Sequence, residues 1–463
     1  MVVEVNDLHS ELNATEVREV VAVESLPATM AAIEEVRDAG IPIAISGGRY
    51  AMGGQQFCAG GLLLDTRRLN RVLGFDRQRG LIEVEAGIQW PALIDFLESN
   101  QVDKPWAIAQ KQTGADRLSI GGAISANAHG RGLTMKPFVS DVESLVLVNS
   151  DGEVIRCSRD ENRDLFRLVA GGYGLFGFIY SVTLRLVPRR MLERVVQLAD
   201  IGDLMRCFED RIEDGFLYGD FQFVTDSRSD GFLQHGVFSC YRPVEQDEPP
   251  PPEQKILTHD DWMKLIMLAH TDKKLAFDLY SQHYLTTSGQ IYYSDRHQLA
   301  DYLDGYHHHL DQAMGVPDRA SEVISEFYLP RDRLADFMAA ASEDCKKHDV
   351  DVIYGTIRLI ERDDESFLNW ARESWACVIF NVHTVHTPNG IEKTAEAYRR
   401  LTALAIERNG SYYLTYHRWA SLEQVERCYP QMRDFLMLKL EYDPMERFQS
   451  DWYRYYRDLL VAG

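Results

Sequence analysis

Three glycine-rich stretches lie in the first 190 residues of this 463-residue chain. They read ISGGRYAMGGQQF (45–57), TGADRLSIGGAISANAHGRG (113–132) and LVAGGYGLFGFIYSVTLRLVP (168–188). Glycine lets backbone amides approach a ligand without interference from a Cβ atom, so such loops are suited to an anion such as a diphosphate. The chain has no GxxxxGK[ST] motif, and no GxGxxG follows the first predicted strand. The pattern therefore favours a phosphate-bearing ligand and argues against P-loop and Rossmann sites.

The elements around these stretches predict an α/β beginning. Residues 16–25 read as a strand, 26–40 as a helix that ends at a glycine, and 41–46 as a second strand that leads into the first glycine-rich stretch. Residues 141–158 predict a hairpin with its turn at Asp151 and Gly152. Beyond about residue 190 the pattern changes to longer strands with aromatic residues. We therefore expect at least two domains.

Composition excludes several classes of protein. The chain has 71 acidic and 49 basic residues, a formal charge of -22, which opposes non-specific binding to nucleic acid. The seven cysteines are scattered without a CxxC pair, so we expect reduced thiols. No run of 18 apolar residues and no signal-peptide pattern occurs, which predicts a cytoplasmic protein without integral membrane contact.

The three stretches, in this order, resemble the FAD-binding domain of the vanillyl-alcohol oxidase/p-cresol methylhydroxylase (PCMH) superfamily. The C-terminal residues 412–454, and YDPMERFQSD (442–451) above all, resemble the ends of alditol and aldonolactone oxidases and particularly of decaprenylphosphoryl-ribose oxidases. The resemblance implies an α+β fold: a PCMH-type FAD-binding domain (1–190), a substrate or cap domain with an antiparallel sheet flanked by helices (191–410), and a C-terminal segment (411–463) that returns to the FAD domain.

The resemblance also implies which residues hold FAD. Tyr50 stands where many relatives carry a histidine that is covalently linked to the flavin, so we expect noncovalent FAD. The implied cofactor-binding residues are Ser46, Gly47, Gly48, Arg49, Tyr50, Ala51, Gly114, Leu118, Ser119, Gly121, Gly122, Ser125, Asn127, Ala128, His129, Gly177 and Ile179.

Two strands of the cap domain carry candidate catalytic residues. Glu326 resembles the acidic residue of a lactone-oxidase strand, and alternation along a strand puts Tyr328 and Pro330 on its side. Arg358 stands where polyol oxidases carry a substrate-side arginine, but their nearby glutamate is replaced here by Thr356. The replacement argues against a strict polyol specificity.

Histidine and tyrosine residues supply the remaining candidates. Tyr416 falls where the ribose oxidases have a lysine, and His417 where the alditol oxidases have a histidine, so the two are rival proton acceptors of which strand alternation lets only one face the flavin. His383 ends an apolar strand and is a further catalytic candidate. Three consecutive histidines at 307–309 point in different directions on a helix, which predicts a polar face and no metal site.

These residues predict an FAD-dependent enzyme that oxidises a CH–OH group of a polyol, sugar, sugar lactone or glycosyl lipid. FAD would accept hydride from the small-molecule alcohol or carbohydrate, and oxygen or another acceptor would reoxidise it. Two alternatives stay open at this stage: a flavin-dependent reductase of an alkene, as in the sterol reductases, and a flavin-binding protein without turnover.

Overall fold

A computed structural model describes residues 2–37, 39–102, 106–245, 250–251, 254–300 and 305–461. Within them the chain mixes helices with parallel and antiparallel sheets, and the predicted α+β class is confirmed. The first 190 residues contain these elements: β1 (Val3–Val5), β2 (Thr15–Val17), β3 (Glu19–Ala22), α1 (Leu26–Arg37), β4 (Ile43–Ser46), β5 (Leu62–Asp65), β6 (Val72–Asp76), β7 (Leu81–Glu85), α2 (Trp90–Ser99), β8 (Trp106–Ala107), α3 (Ile120–Ser125), β9 (Val142–Val148), β10 (Val154–Ser158), α4 (Arg163–Val169), β11 (Phe178–Arg185) and β12 (Val187–Pro188).

Two sheets organise this part of the chain. A parallel sheet has the order β3-β5-β4, and an antiparallel sheet has the order β10-β9-β11-β7-β6. Helix α1 buries Thr29, Ala32, Ile33 and Val36, whose spacing places them on one face of the helix. The predicted hairpin at 141–158 is confirmed as the β9–β10 pair.

The remaining elements build an eight-stranded antiparallel sheet and its helices. The sheet order is β16-β13-β15-β14-β18-β19-β17-β20. The elements are β13 (Met191–Asp200), α5 (Ile201–Glu213), β14 (Tyr218–Phe223), β15 (His235–Val244), α6 (His259–Thr271), α7 (Lys273–Thr286), β16 (Ile291–Tyr293), α8 (Tyr306–Met314), β17 (Ala320–Pro330), α9 (Leu334–Lys347), β18 (Val352–Ile360), β19 (Trp375–Val385), α10 (Pro388–Ile406), β20 (Ser411–Tyr412), α11 (Leu422–Cys428), α12 (Met432–Tyr442) and α13 (Asp451–Val461).

Alternation along β17 gives the large sheet two different faces. Phe327 packs against Phe337 of α9 and Tyr398 of α10, so one face is a hydrophobic core under these helices. Glu326 and Ile324 point to the other face and line a cavity. The sheet therefore separates a packed layer from a polar, accessible surface.

The C-terminal segment reaches the first sheet only after it leaves the large one. Strand β20 still pairs with β17, at Tyr412 opposite Phe327. Further along, the backbone N–H of Ile43 donates to the carbonyl of Arg447 at 2.6 Å, and Phe448 forms a parallel bridge with Ile43. The segment beyond β20 thus returns to the cofactor side, and the domain limits at 190 and 411 stay a prediction.

Cysteine state and membrane-spanning capacity follow from the same residues. All seven cysteines are free thiols, and six of them are buried. Among the residues that the structure describes, no helix is both long enough and apolar enough to cross a bilayer.

Candidate functional site

A cavity of about 710 Å³ lies where the glycine-rich stretches meet the large sheet. We call its three sides the glycine wall (from residues 45–56, 112–131 and 173–179), the sheet wall (from β14, β17, β18 and β19) and the helical wall (from α6 and α7). A volume of this size is typical of binding sites for small molecules and cofactors. One continuous space therefore joins the predicted cofactor loops to the predicted substrate sheet.

Most residues that the resemblance implied for FAD binding line this cavity. Fifteen of the seventeen are found along the glycine wall, and two are not. The fifteen are Gly47, Gly48, Arg49, Tyr50, Ala51, Gly114, Leu118, Ser119, Gly121, Gly122, Ser125, Ala128, His129, Gly177 and Ile179.

Ser46 and Asn127 lie behind the wall. Ser46 ends β4, and its carbonyl accepts hydrogen bonds from the backbone N–H and the hydroxyl of Thr66. Asn127 has a left-handed backbone (φ 47°), and its side-chain amide donates to Asp363 Oδ2 at 2.9 Å while its oxygen accepts from the N–H of Val139 at 2.9 Å. Asn127 therefore fixes the turn that leads to His129 instead of facing the cavity.

The glycine wall has the open space and hydroxyl groups that a diphosphate needs. A Cβ atom at Gly114 would meet no atom within 4 Å, and one at Gly122 would meet only Ser119 Oγ, at 3.1 Å. The hydroxyl of Thr113, which lines the cavity, is buried without a hydrogen-bond partner. Buried polar atoms of this kind call for a partner. The residues present thus fit FAD.

Glu326 is the centre of a buried hydrogen-bond network where the glycine wall meets the sheet wall. Its Oε1 lies 2.5 Å from His129 Nε2 and accepts from Tyr328 Oη at 2.9 Å and from Cys377 Sγ at 3.0 Å. Its Oε2 accepts from Tyr416 Oη at 3.0 Å. Strand register explains the cluster, because Tyr328 follows Glu326 by two residues and lies directly opposite Cys377.

The charge state of this network follows from its contacts. Burial by itself raises the pKa of Glu326, but His129, Cys377 and Tyr328 outweigh it and lower that pKa to about 2. Nδ1 of His129 faces the carbonyl oxygen of Gly130 at 3.1 Å, which can only accept, while Nε2 faces the carboxylate. Glu326 is therefore a carboxylate, and the Tyr416 hydroxyl is held as a donor to it.

Tyr416 and His417, the rival proton acceptors, occupy different surroundings. Both lie beyond β20, so strand alternation does not orient them. Tyr416 lines the cavity. His417 is not among the residues that line it; its ring stacks on Trp419 with centroids 4.3 Å apart, and burial lowers its pKa to about 4. Tyr416 is thus the one of the two that can meet a substrate.

Arg358 lines the sheet wall and His383 does not. Arg358 is buried beside Thr356, and its Nε has no hydrogen-bond partner. His383 lies near the end of β19, where α6 covers it: its ring centroid is 5.0 Å from that of His270, and its Nδ1 is 3.7 Å from Glu322 Oε1. The geometry assigns His383 to a different cluster from the Glu326 network.

The histidine run at 307–309 divides in the same way. His308 and His309 are exposed, as a polar face requires. His307 is buried, and its Nδ1 lies 2.7 Å from Glu322 Oε2. The predicted polar face is therefore wrong for His307, because the first turn of α8 directs that ring toward β17.

Sequence reasoning missed several polar residues of the sheet wall. Gln222, Asn381 and Thr356 line the cavity, and each has a buried side-chain oxygen without a hydrogen-bond partner. Thr356 faces Gln222 on one neighbouring strand and Ile379 on the other. Only strand register brings these residues together with Cys377, and the sequence alone gives no such register.

Comparison with known proteins agrees with the geometry of the glycine wall. The FAD binding domain family matches residues 17–158. An uncharacterised oxidoreductase of the fasciation locus of Rhodococcoides fascians is 30% identical over 41% of this chain and 44% of its own length. L-gulonolactone oxidase of Mus musculus is 31% identical over 28% of this chain and 29% of its own length. L-gulono-1,4-lactone dehydrogenase of Mycobacterium tuberculosis is 22% identical over 86% of both chains.

These matches differ in how much of each relative the chain covers. The chain spans less than half the length of the first two relatives, and most of the length of the third at lower identity. The expected PCMH-type FAD-binding domain and its kinship with the aldonolactone oxidases and dehydrogenases are confirmed.

Proposed function

Because residues 17–158 carry an FAD-binding domain of this superfamily, we propose that the chain is an FAD-dependent oxidoreductase that oxidises a CH–OH group of a sugar lactone or related carbohydrate. When bound, FAD supplies the hydride acceptor for such a reaction. The observation that carries the proposal is the Glu326 network, which sets a carboxylate and a phenol at the junction of cofactor loops and substrate sheet. The printed names of two relatives, a lactone oxidase and a lactone dehydrogenase, support this substrate class.

FAD is held without a covalent bond in this proposal. The fifteen residues of the glycine wall named above would surround it, with Thr113 and Ser119 as hydroxyl donors. Tyr50 lies against Gly48, since a Cβ atom at Gly48 would come within 3.1 to 3.2 Å of the Tyr50 ring. A phenol in this position fills space beside the loop, and the chain has no histidine there to form the link that many relatives use.

Tyr416 receives the substrate proton in our proposal, and Glu326 holds Tyr416 in place. The phenol donates to Glu326 Oε2, so the lone pairs of its oxygen stay available to a substrate hydroxyl in the cavity. Loss of hydride from the substrate carbon makes the adjoining hydroxyl strongly acidic. Its proton then passes to Tyr416 Oη as the phenol proton moves to Glu326 Oε2. Because burial is outweighed by His129 and the pKa of Glu326 is lowered to about 2, Glu326 takes up this proton only once hydride loss has made the substrate hydroxyl strongly acidic.

Arg358 and the unpaired oxygens of the sheet wall would bind the rest of the substrate. Gln222, Thr356 and Asn381 offer acceptors, and Arg358 offers a cationic donor. A polyhydroxylated molecule with a carbonyl group can pair with all four, whereas a hydrocarbon would leave them buried and unsatisfied. This donor set argues for a carbohydrate-derived substrate and against a sterol-like alkene.

The helical wall favours a second substrate class within the same reaction. Leu265, Ile266 and Phe277 of α6 and α7 line the cavity with apolar side chains. A glycosyl lipid would place its sugar on the sheet wall and its apolar chain against these helices. This class is the second candidate.

Anaerobic reduction of the protein-bound flavin tests the proposal. The purified full chain is first precipitated with acid, and we expect the yellow colour in the supernatant because the cofactor is noncovalent. The holoprotein is then mixed without oxygen with aldonolactones, alditols, aldoses and a short-chain glycosyl lipid, and we expect at least one of them to bleach the flavin absorbance. Bleaching by NADPH together with turnover of an enone, and by no carbohydrate, would instead establish the reductase alternative. No bleaching by any donor would contradict an enzymatic role.

A further inference from the structure

Four side chains from four elements converge at the far end of the sheet wall. Glu322 of β17 lies directly opposite His383 of β19 in the strand register. His270 comes from the last turn of α6, and His307 from the first turn of α8. His270 Nε2 lies 3.0 Å and His383 Nδ1 lies 3.7 Å from Glu322 Oε1, while His307 Nδ1 lies 2.7 Å from Oε2.

This cluster is distinct from the Glu326 network. Glu322 and Glu326 share a strand face four residues apart, which is roughly 13 Å along a β-strand. Ile324 lies between them and also faces the cavity. The cluster is therefore near the cavity, but its histidines do not touch the Glu326 network.

Three atoms of the cluster that face one another are buried without hydrogen bonds, whereas the other carboxylate oxygen, Glu322 Oε2, accepts a hydrogen bond from Tyr306 Oη. The side chains of His270 and Glu322 are each 3% exposed. His270 Nε2, His383 Nδ1 and Glu322 Oε1 all lack a partner with hydrogen-bond geometry, although they lie close to one another. Lone pairs that converge on one point without hydrogen bonds between them are the arrangement that a cation satisfies.

The Glu326 network differs from the cluster around Glu322 in its hydrogen bonds. His129, Glu326 and Cys377 also bring ligand atoms within 4.8 Å of one another. Each of them, however, already takes part in a close hydrogen bond, with Glu326 as the shared acceptor. A cation there would have to displace those bonds, whereas the cluster around Glu322 has none between its nitrogens and the carboxylate to lose.

We propose that His270 Nε2, His383 Nδ1 and Glu322 Oε1 bind one divalent transition-metal ion of the Zn²⁺ class. Two imidazoles and a carboxylate suit such an ion, and three protein ligands leave a coordination position for water. Ligand atoms about 2.1 Å from a tetrahedral ion lie roughly 3.4 Å apart, and the two nitrogens lie 3.0 and 3.7 Å from the carboxylate oxygen. Tyr306 Oη donates to the other carboxylate oxygen, His307 lies against it, and together they orient Glu322 as a ligand.

A metal at this point would attach the helical wall to the sheet. No residue of α6 is buried as a whole, because the cavity lies beneath the helix. Leu265, Ile266 and Ala269 of α6 line that cavity. The bond through His270 would therefore hold one wall of the cavity in place without entering the chemistry at Glu326.

Metal content and metal affinity of the full-length protein test the proposal. The purified chain is stripped with a chelator, and Co²⁺ and then Zn²⁺ are titrated in a competition assay. We expect one ion per chain and a Co²⁺ visible absorption band. His270→Ala and Glu322→Gln should each weaken Zn²⁺ affinity by at least about 100-fold, since even outer-shell partners of a metal site contribute about 10- to 100-fold. His309→Ala, an exposed histidine on α8, is the matched control and should bind as the wild type does.

Three outcomes would overturn the proposal. They are folded wild-type protein that binds neither ion, a His270→Ala variant with undiminished affinity, and sulfur in the coordination shell of the bound Zn²⁺. The last is read from the X-ray absorption spectrum of the wild type, and it would assign the ion to the cluster with Cys377. If both variants fail to fold, this spectrum still decides, because only imidazole and oxygen ligands support the site at Glu322.

Discussion

At the scale of single residues, our proposal divides the work of one proton acceptor between Glu326 and Tyr416. The carboxylate accepts hydrogen bonds from the three donors Tyr328, Cys377 and Tyr416 and lies against the His129 ring, so it is strongly stabilised as an anion. The phenol, whose pKa is raised well above its ordinary value by burial and by Glu326, offers its oxygen to the cavity. Substitution of each should therefore have a different signature.

Tyr416→Phe removes the oxygen that faces the cavity and keeps the ring. Because general acid–base groups contribute roughly 10²- to 10⁴-fold, we expect kcat for the best substrate to fall by that factor with little change in KM. The flavin spectrum should stay that of the wild type. Stopped-flow measurement of flavin reduction gives the rate, and Tyr442→Phe, which lies outside the cavity, is the control. A rate within a factor of three or so of wild type would exclude Tyr416 as the proton acceptor.

His417 should affect stability instead of turnover. Burial lowers its pKa from 6.5 to about 4, so the unfolded chain takes up a proton more readily than the folded one. The contribution of neutral His417 to the free energy of unfolding is fully present above about pH 6.5 and is lost as the pH falls toward 4. The loss over this range is about 3 kcal/mol. The advantage of wild type over His417→Gln in free energy of unfolding should shrink by that amount between pH 7 and 4. Parallel curves in urea unfolding experiments would contradict this prediction.

Candidate site residues could be predicted from the sequence where they lie in a segment that resembles a known family. Glu326, Arg358 and Tyr416 were found by resemblance, and all three line the cavity. The partners Cys377 and Glu322 could not be found, because a strand register joins them to their neighbours and no local pattern records register. The substrate and a cytoplasmic location stay predictions.

At the scale of elements, the first two glycine-rich loops pack directly on each other. A Cβ atom at Gly47 would lie 2.0 Å from Ser119 Oγ, and one at Gly48 would lie 2.3 Å from the carbonyl oxygen of Arg117. These two glycines are thus required by loop packing, whereas Gly114 and Gly122 leave open space. The sequence predicted glycine-rich loops correctly, but it suggested only the close approach of a ligand as their cause. The structure shows a second cause, which is the packing of one loop on the other.

Gly48→Ala should loosen the cofactor site through this packing. The new methyl group would meet backbone, which yields less readily than a side chain, so we expect a loss of roughly 1–3 kcal/mol in stability and weaker retention of FAD. Thermal unfolding and gel filtration with FAD detection measure both effects. Gly202→Ala, near the start of α5 with no atom within 4 Å of the new Cβ, is the control and should be neutral or slightly stabilising. Equal behaviour of the two variants would refute the packing explanation.

At the scale of the whole molecule, the chain closes on itself through its C-terminal segment. After β20 it runs through α11 and α12 to Phe448, which pairs with Ile43 at the edge of the first parallel sheet. The backbone N–H of Phe448 also donates to Asp443 Oδ2 at 2.8 Å, and that oxygen forms an ion pair with Lys439. This buried pair therefore shapes the turn that returns the chain to the cofactor side.

Asp443→Asn should cost the whole molecule far more than a surface change of the same type. The side chains of Lys439 and Asp443 are 0% and 2% exposed, so loss of the carboxylate leaves a buried ammonium without its counter-charge, at about 3–5 kcal/mol. Asparagine keeps an oxygen for the N–H of Phe448, which isolates the effect of charge. Asp278→Asn, which breaks the exposed Lys274–Asp278 pair at the same i,i+4 spacing, should cost less than about 0.5 kcal/mol. Because the cause is a buried ammonium without its counter-charge, Lys439→Met added to Asp443→Asn should recover part of the loss in urea unfolding. A further loss would show that packing, and not charge, governs the turn.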